Sequence, residues 1–548
     1  MRGFLFPSRF PVIMAVALAV ALVAAAEPTP SGRPLPRTID GKPDLEGIWQ
    51  ASGTAAADLQ DHAARYNMPA GLSVVGGAGI PYQPWAAAKK MENFQNRGKA
   101  DPLAQCFMPG VPRIMYLDFP FQIFQTPQAV AIAFEWSLVY RLIHTDGSRH
   151  PEGLDFWMGD SRGRWEGDTL VVDVANNNDK TWFDLAGDFH TDALHVVERY
   201  RMTDPATIQY EATIEDSKAF TKPWTISLPL HRRTDLHRIL EYACQAEAEE
   251  ASGAFEREER TWYPGSGTPA TTTADASARK PATPPQTAAN VRHRHRFPLP
   301  WINSATNPPA AVSNIRTADG KPNLQGFYEP DGGGANYGLS KHVDDPLTPG
   351  GRGVLIDPPD GTLPMLPWAV QEKADRNRPE RGYDDPTAHC FVAGIPRSMY
   401  IPSPFQIIQT SDYIVFLHER MAWRIVSLNR SAHLPDDIRL WQGDSVGAWE
   451  GDTLVVETSN LNGKTWLNEV GEIVSYAERV VERFTPAGPD RVNYAATVTD
   501  PLVYSRPWTI AFPLKREKGE LLEAACHEED QDLAHLKAIK DAAAAGKK

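Results

Sequence analysis

His190 and His195 are the residues of this 548-residue chain whose type and surroundings most suggest proton chemistry. They lie in Asp188-Phe189-His190-Thr191-Asp192-Ala193-Leu194-His195, with Asp184 just ahead. An imidazole titrates near neutrality, and a carboxylate beside it orients the ring and raises its pKa into the working range. The segment therefore reads as a general acid–base site, with His190 and His195 transferring protons and Asp192, Asp188 or Asp160 orienting them. A divalent metal at His190/His195, completed by His150 and Asp160 or Asp192, is the sharper variant; yet HxxxxH outside a helix matches no zinc signature. The bland alternative is a polar loop with one interface histidine. Trp157, His150, Glu135 and Arg141 are the candidates for contacting a ligand, since aromatic walls with a few polar groups suit a planar aromatic or a sugar ring. A buried brace would explain Glu135/Arg141 and Glu198/Arg199 without any ligand. No GxSxG, P-loop or GxGxxG precedes a helix, so no cofactor is evident. Ser161 in Gly159-Asp160-Ser161 has no His–Asp pair set against it.

The weight on this segment comes from a duplication. Trp165-Glu166-Gly167-Asp168-Thr169-Leu170-Val171-Val172 returns as Trp449-Glu450-Gly451-Asp452-Thr453-Leu454-Val455-Val456. Val196-Val197-Glu198-Arg199 returns as Val480-Val481-Glu482-Arg483, and Pro223-Trp224-Thr225-Ile226 as Pro507-Trp508-Thr509-Ile510. The histidine segment instead becomes Glu472-Ile473-Val474-Ser475-Tyr476-Ala477-Glu478-Arg479. What both copies keep reads as scaffold, and what one drops is a candidate for function. The first copy is thus expected to hold the site and the second to be a degenerate partner.

The elements that must position these residues are strands. Phe121–Thr126, Ala129–Trp136, Leu138–His144, Thr169–Val174, Ala193–Arg201, Ile208–Ile214, Trp224–Leu230 and Leu240–Cys244 are short apolar or alternating runs between turn signals such as Asp146-Gly147. Alternation in the Ala193–Arg201 strand puts His195, Val197 and Arg199 on one face and Leu194, Val196, Glu198 and Tyr200 on the other. The pattern predicts an all-β protein of two tandem antiparallel calycin- or lipocalin-like barrels, or strongly bent sandwiches, with short helices. A barrel of this size has room for one small ligand. The expected divisions are a signal peptide over 1–26, barrels over 38–250 and 313–528, a disordered Pro/Thr/Ala-rich linker over 251–312, and a helical or disordered tail over 529–548.

Arg2 and Arg9 before an apolar run, then Ala24-Ala25-Ala26, predict cleavage after Ala26 and a periplasmic or secreted protein with no stable membrane anchor. Four cysteines allow three pairings; duplication favours one bridge per copy, Cys106–Cys244 and Cys390–Cys526, in an oxidising compartment. A net charge of −14 argues against a nucleic-acid partner.

The opening Asp40-Gly41-Lys42-Pro43-Asp44-Leu45, the Cys106…Gly110-Val111-Pro112-Arg113 element, the WEGDTLVV octet, His190…Leu194-His195-Val196…Glu198-Arg199 and the closing Tyr242-Ala243-Cys244 resemble a widespread family of exported bacterial proteins of unassigned function. The resemblance covers most of both copies and implies export and repetition, but no mechanism. The likeness to lipocalin-type barrels rests on strand pattern alone. These readings converge on a small-molecule-processing protein, a cofactor-independent lyase, isomerase or hydrolase working in the first repeat. The rival is a non-catalytic periplasmic carrier or sensor of an apolar or aromatic ligand.

Overall fold

The computed structural model describes residues 34–64, 68–255, 316–344, 349–420, 422–529 and 532–546. The expected signal peptide and nearly all of the expected linker lie outside these residues.

Nine strands close the first barrel: β1 (Gly47–Ala51), β2 (Phe121–Gln125), β3 (Ala129–Phe134), β4 (Tyr140–His144), β5 (Asp160–Glu166), β6 (Thr169–Ala175), β7 (His195–Asp204), β8 (Thr207–Glu215) and β9 (Trp224–Arg232). The second repeats the order with β10 (Gly326–Pro330), then β12 (Phe405–Gln409), β13 (Tyr413–His418), β14 (Ala422–Ser427), β15 (Asp444–Glu450), β16 (Thr453–Ser459), β17 (Arg479–Pro486), β18 (Arg491–Thr499) and β19 (Trp508–Glu517). Pairing of β10 with β19 closes this barrel, and the short β11 (Leu355–Asp357) adds to β19. The tandem all-β barrels are therefore as the strand pattern predicts. Three details differ. The step from β4 to β5 is parallel, as is β14 to β15, so neither barrel is purely up-and-down. Strands β1 and β5 carry no long apolar run and escaped the pattern. Leu240–Cys244 is not a strand but leads into helix α2 (Cys244–Ser252) after helix α1 (Pro84–Ala100).

Alternation decides what enters the barrel. Val196, Glu198, Tyr200 and Met202 of β7 are buried, while His195 is half-exposed and Arg199 exposed. The interiors are filled: Trp49, Phe121, Ile132, Phe134, Tyr200 and Tyr210 belong to one continuous core in the first repeat. Tyr328, Phe405, Phe416, Phe484, Tyr494 and Phe512 belong to another in the second. Inside the first core Arg141 pairs with Glu198, donates to Ser161 Oγ at 2.9 Å, and Tyr210 donates to Glu198 at 2.7 Å. Arg424, Glu482, Ser445 and Tyr494 repeat the arrangement. A buried charge needs such partners. The brace is Arg141–Glu198; Glu135 instead accepts the Leu240 N–H, and Arg199 pairs with Glu166 at the surface. Gly159 explains the conserved start of β5 in both repeats: its φ is +66°, and a Cβ there would lie 2.5 Å from Asn177 Oδ1.

Strands β2 and β3 are buried throughout because both faces are covered. Ile123, Ile132 and Phe134 face the first core, whereas Phe124, Ala131 and Ala133 pack with Ile408, Val415, Leu417 and Trp423 of the second repeat. Each repeat then sends its closing segment across this junction. Glu523 accepts N–H groups of Trp157 and Met158 at 2.6 and 2.8 Å, and its counterpart Glu241 accepts the Gln442 N–H at 2.9 Å. Arg238 reaches Asp444, and Glu520 reaches Arg162. The two disulfides, Cys106–Cys244 and Cys390–Cys526, tie each closing segment to its own repeat. Helix α2 runs on to Phe255, whose ring meets His389 and Phe391 at 4.5 and 5.2 Å. The first repeat thus ends beyond residue 250. After helix α3 (Pro367–Arg376) and, much later, the short helix α4 (Cys526–Glu529), the tail forms helix α5 (Asp532–Gly546).

Candidate functional site

The structure does not bring His190 and His195 together. His190 is buried against Phe183, with Nε2 2.7 Å from the Thr181 hydroxyl and Nδ1 2.9 Å from the Thr191 carbonyl. A carbonyl only accepts, so Nδ1 carries the proton and Nε2 accepts from Thr181. Burial pushes the His190 pKa down. Both ring nitrogens are spent on holding the loop, and neither is left for a metal or substrate. His195 lies on the outer face of β7, 2.5 Å from Asp173 and 3.5 Å from Glu215. Asp192 is exposed and paired with Lys218. Asp160 joins Arg162 and, at 2.5 Å, His150. The expected metal at His190/His195 has no shared locus, because one ring faces the core and the other the surface.

Asp188 is fully buried, accepting from the Tyr82 hydroxyl at 2.8 Å with Lys90 Nζ at 3.2 Å. Asp184 and Asp58 approach it closely enough for the three carboxylates to resemble a cation cage. The second repeat explains the group without a cation. Asn468 stands for Asp184, Glu472 for Asp188 and Lys373 for Lys90; the Asn468 amide donates to Glu472 at 2.5 Å, and Lys373 pairs with it. Asp184 is pushed well above the ordinary carboxylate range by burial and then by Asp188. It stands where the second repeat has an amide, and the cluster pins the loop.

The expected ligand contacts are also dispersed. Arg141 is in the barrel brace, and Trp157 packs edge-on against Phe107 at 5.5 Å while Glu523 binds its N–H. Glu135 supports the closing segment, and its pKa is raised by burial. His150 shares the outer-face network with Asp160 and, more distantly, Asp173. Ser161 is 2 % exposed beneath Arg141 and is no nucleophile.

A different place has the character of a site. A cavity of about 90 Å³ lies in the second repeat at the junction, lined by Phe391, Val392, Ile401, Ser398, Ser403, His418, Arg420 and Gln442, by the Cys390–Cys526 disulfide, and by Ser137 of the first repeat. It adjoins a second cavity of about 90 Å³ bordered by both disulfides. Four polar atoms on its wall are buried and have no hydrogen-bond partner among the described residues: Ser137 Oγ, Ser398 Oγ, His418 Nε2 and Gln442 Oε1. Buried polar atoms are almost always paired, since an orphan costs about 1–3 kcal/mol. Four around one hollow mark a place for something that pairs with them. His418 ends β13 on its inward-facing side, next to Phe405 and Phe416. Burial, then the Arg424 charge, holds its pKa down to about 3, so the imidazole is neutral. Gln442 is fixed through its backbone by Glu241 from the other repeat.

The first repeat shows what fills this space when it is closed. Phe134 stands for His418, Ile114 for Ser398, Met158 for Gln442, and Phe119, Trp136 and Tyr242 for Ser403, Arg420 and Ala524. Phe119, Trp136 and Tyr242 form a mutual cluster with centroids 5.1–5.4 Å apart. The aligned copies carried this signal. It lies in the polar residues that the second copy gains, Ser398, Ser403, His418, Arg420 and Gln442, rather than in the histidines that it lacks.

No protein-family model, no curated protein and no solved structure matches this chain. Fold and site define a tandem β-barrel protein with an unsealed cavity where its repeats meet. Its two disulfides belong to an oxidising, non-cytoplasmic compartment. Among the described residues no helix is long and apolar enough to cross a membrane.

Proposed function

We propose that this is an exported, non-catalytic carrier or sensor that holds a small ligand in the second-repeat cavity, rather than an acid–base enzyme working through His190 and His195. The observation that carries the reading is the set of four unpartnered buried polar atoms at Ser137, Ser398, His418 and Gln442. The apolar wall of Phe391, Val392 and Ile401 suits a ligand with an apolar body, and the polar atoms fix its orientation. Both barrel interiors are packed, which leaves the junction as the place for a ligand. Export through a leader over residues 1–26 agrees with the disulfides.

The test is to close the cavity with the first repeat's own residues. Ser403→Phe, Arg420→Trp and Ala524→Tyr together rebuild the aromatic plug, and native protein is compared with this variant in a thermal-shift and calorimetric screen of small aromatic and aliphatic compounds. The expected result is that compounds binding the native protein lose at least about tenfold in affinity, about 1.4 kcal/mol, while the variant stays folded. Equal binding by both proteins, or loss of binding in His190→Ala/His195→Ala instead, would return the site to the first repeat.

A further inference from the structure

The charge around the cavity narrows the ligand's class, given the binding reading above. The chain carries a net charge of −14, yet none of the residues lining the cavity is acidic. Its single cation is Arg420, which is exposed at the edge and makes no ion pair or hydrogen bond among the described residues. Glu469 and the Tyr337 hydroxyl feel the Arg420 charge, and Glu469 is already engaged by the Asn336 amide at 2.7 Å; Glu528, which borders the adjoining cavity with Arg420, accepts the Met108 N–H at 2.8 Å. Glu419, the residue before Arg420, accepts from Ser403.

A hydroxyl, a neutral imidazole and a carboxamide can each hydrogen-bond either sign of ligand, but a guanidinium selects. One guanidinium balances one negative charge, and no second cation is present for a doubly charged phosphate. The rest of the wall is Phe391, Val392, Ile401 and a disulfide, which favours an apolar body over a sugar. We infer that the ligand is a small aromatic or aliphatic monocarboxylate, its carboxylate at Arg420 and its apolar body against Phe391 and Ile401.

The test uses full-length protein and three probes: benzoate, benzamide as its neutral isostere, and acetate as a carboxylate without the body. Calorimetry is run on native protein, Arg420→Gln and Ser403→Phe, with circular dichroism to establish folding of each. The expected result is that benzoate binds more tightly than either benzamide or acetate. Arg420→Gln should cost benzoate about tenfold and leave benzamide within about twofold, as expected for loss of one charge-assisted hydrogen bond. Benzoate affinity should fall with added salt, and benzamide affinity should not. If benzamide binds as well as benzoate, or Arg420→Gln leaves benzoate unchanged, the monocarboxylate inference is overturned while the cavity stands. If no probe binds, or Ser403→Phe leaves binding of every probe intact, the cavity reading falls with it.

Discussion

Asp184 is pushed up by burial and by Asp188, and the second repeat has Asn468 at that position. A carboxyl whose native pKa lies above its unfolded value contributes most stability below the ordinary carboxylate range. That contribution is lost as pH rises through the raised native value. Native protein should therefore lose melting temperature as pH climbs above about 4, the unfolded Asp value. Asp184→Asn, which supplies the amide the other repeat already uses, should flatten that slope, although the Leu59 N–H, which Asp184 accepts together with that of Asp188, then faces an amide donor and lowers the melting temperature at every pH alike. Thermal melts of both proteins across pH 4–8 decide the matter: parallel slopes would mean that Asp184 is charged and paired in the folded state. The same comparison shows how far single residues were legible. Asp188 and His190 were visible as chemically capable side chains, but burial, which silences them, is not written in residue type. His418, Arg420 and Ser403 were visible only as substitutions for Phe134, Trp136 and Phe119, and they matter because three rings' worth of volume is missing around them.

Strands were the most legible elements, because a half-buried strand must alternate and a doubly covered one must be apolar throughout. Thus β7 announced both of its faces, and β3 announced its burial without saying that its outer face meets another barrel. The closing segments were not legible, since Glu241 and Glu523 look like ordinary acids until their partners, backbone N–H groups of the opposite repeat, are seen. Glu523→Gln replaces a carboxylate that accepts two N–H groups by an amide with one oxygen, leaving the second N–H facing a donor. Loss of a hydrogen bond to a charged acceptor costs about 1.5–3 kcal/mol, and an unfolding free energy lowered by about that amount in urea titration, at unchanged m-value, is expected. Glu520→Gln is the control: its side chain is 34 % exposed, so removing its pairings with Arg162 and His144 should cost less than about 1 kcal/mol. Equal effects of the two substitutions would show that the crossing segment is held by something other than the Glu523 cradle.

At the scale of the whole molecule, the two repeats are related as subunits of a dimer that exchange their closing segments. The first disulfide anchors α2, which then reaches Phe391 and His389, and the second anchors the segment that reaches Trp157 and Met108. The apolar layer between them draws on both β2–β4 and β12–β14. Interfaces with a continuous apolar core resemble a domain interior cut in half and hold without a covalent link. Ser137 of one repeat and His418 of the other also share the cavity, so the cavity is complete only while the halves are apposed. A protease site introduced between Phe255 and Arg316 lets the link be cut in the folded, oxidised protein. The cut halves should co-elute as one particle of unchanged mass and melt in a single transition. They should also bind any cavity ligand within about twofold of the uncut chain, because the cut changes none of the described residues of the junction. Separation of the halves on dilution, or two independent melting transitions, would mean that the crossing segments merely touch the opposite barrel and that the junction is held by the linker.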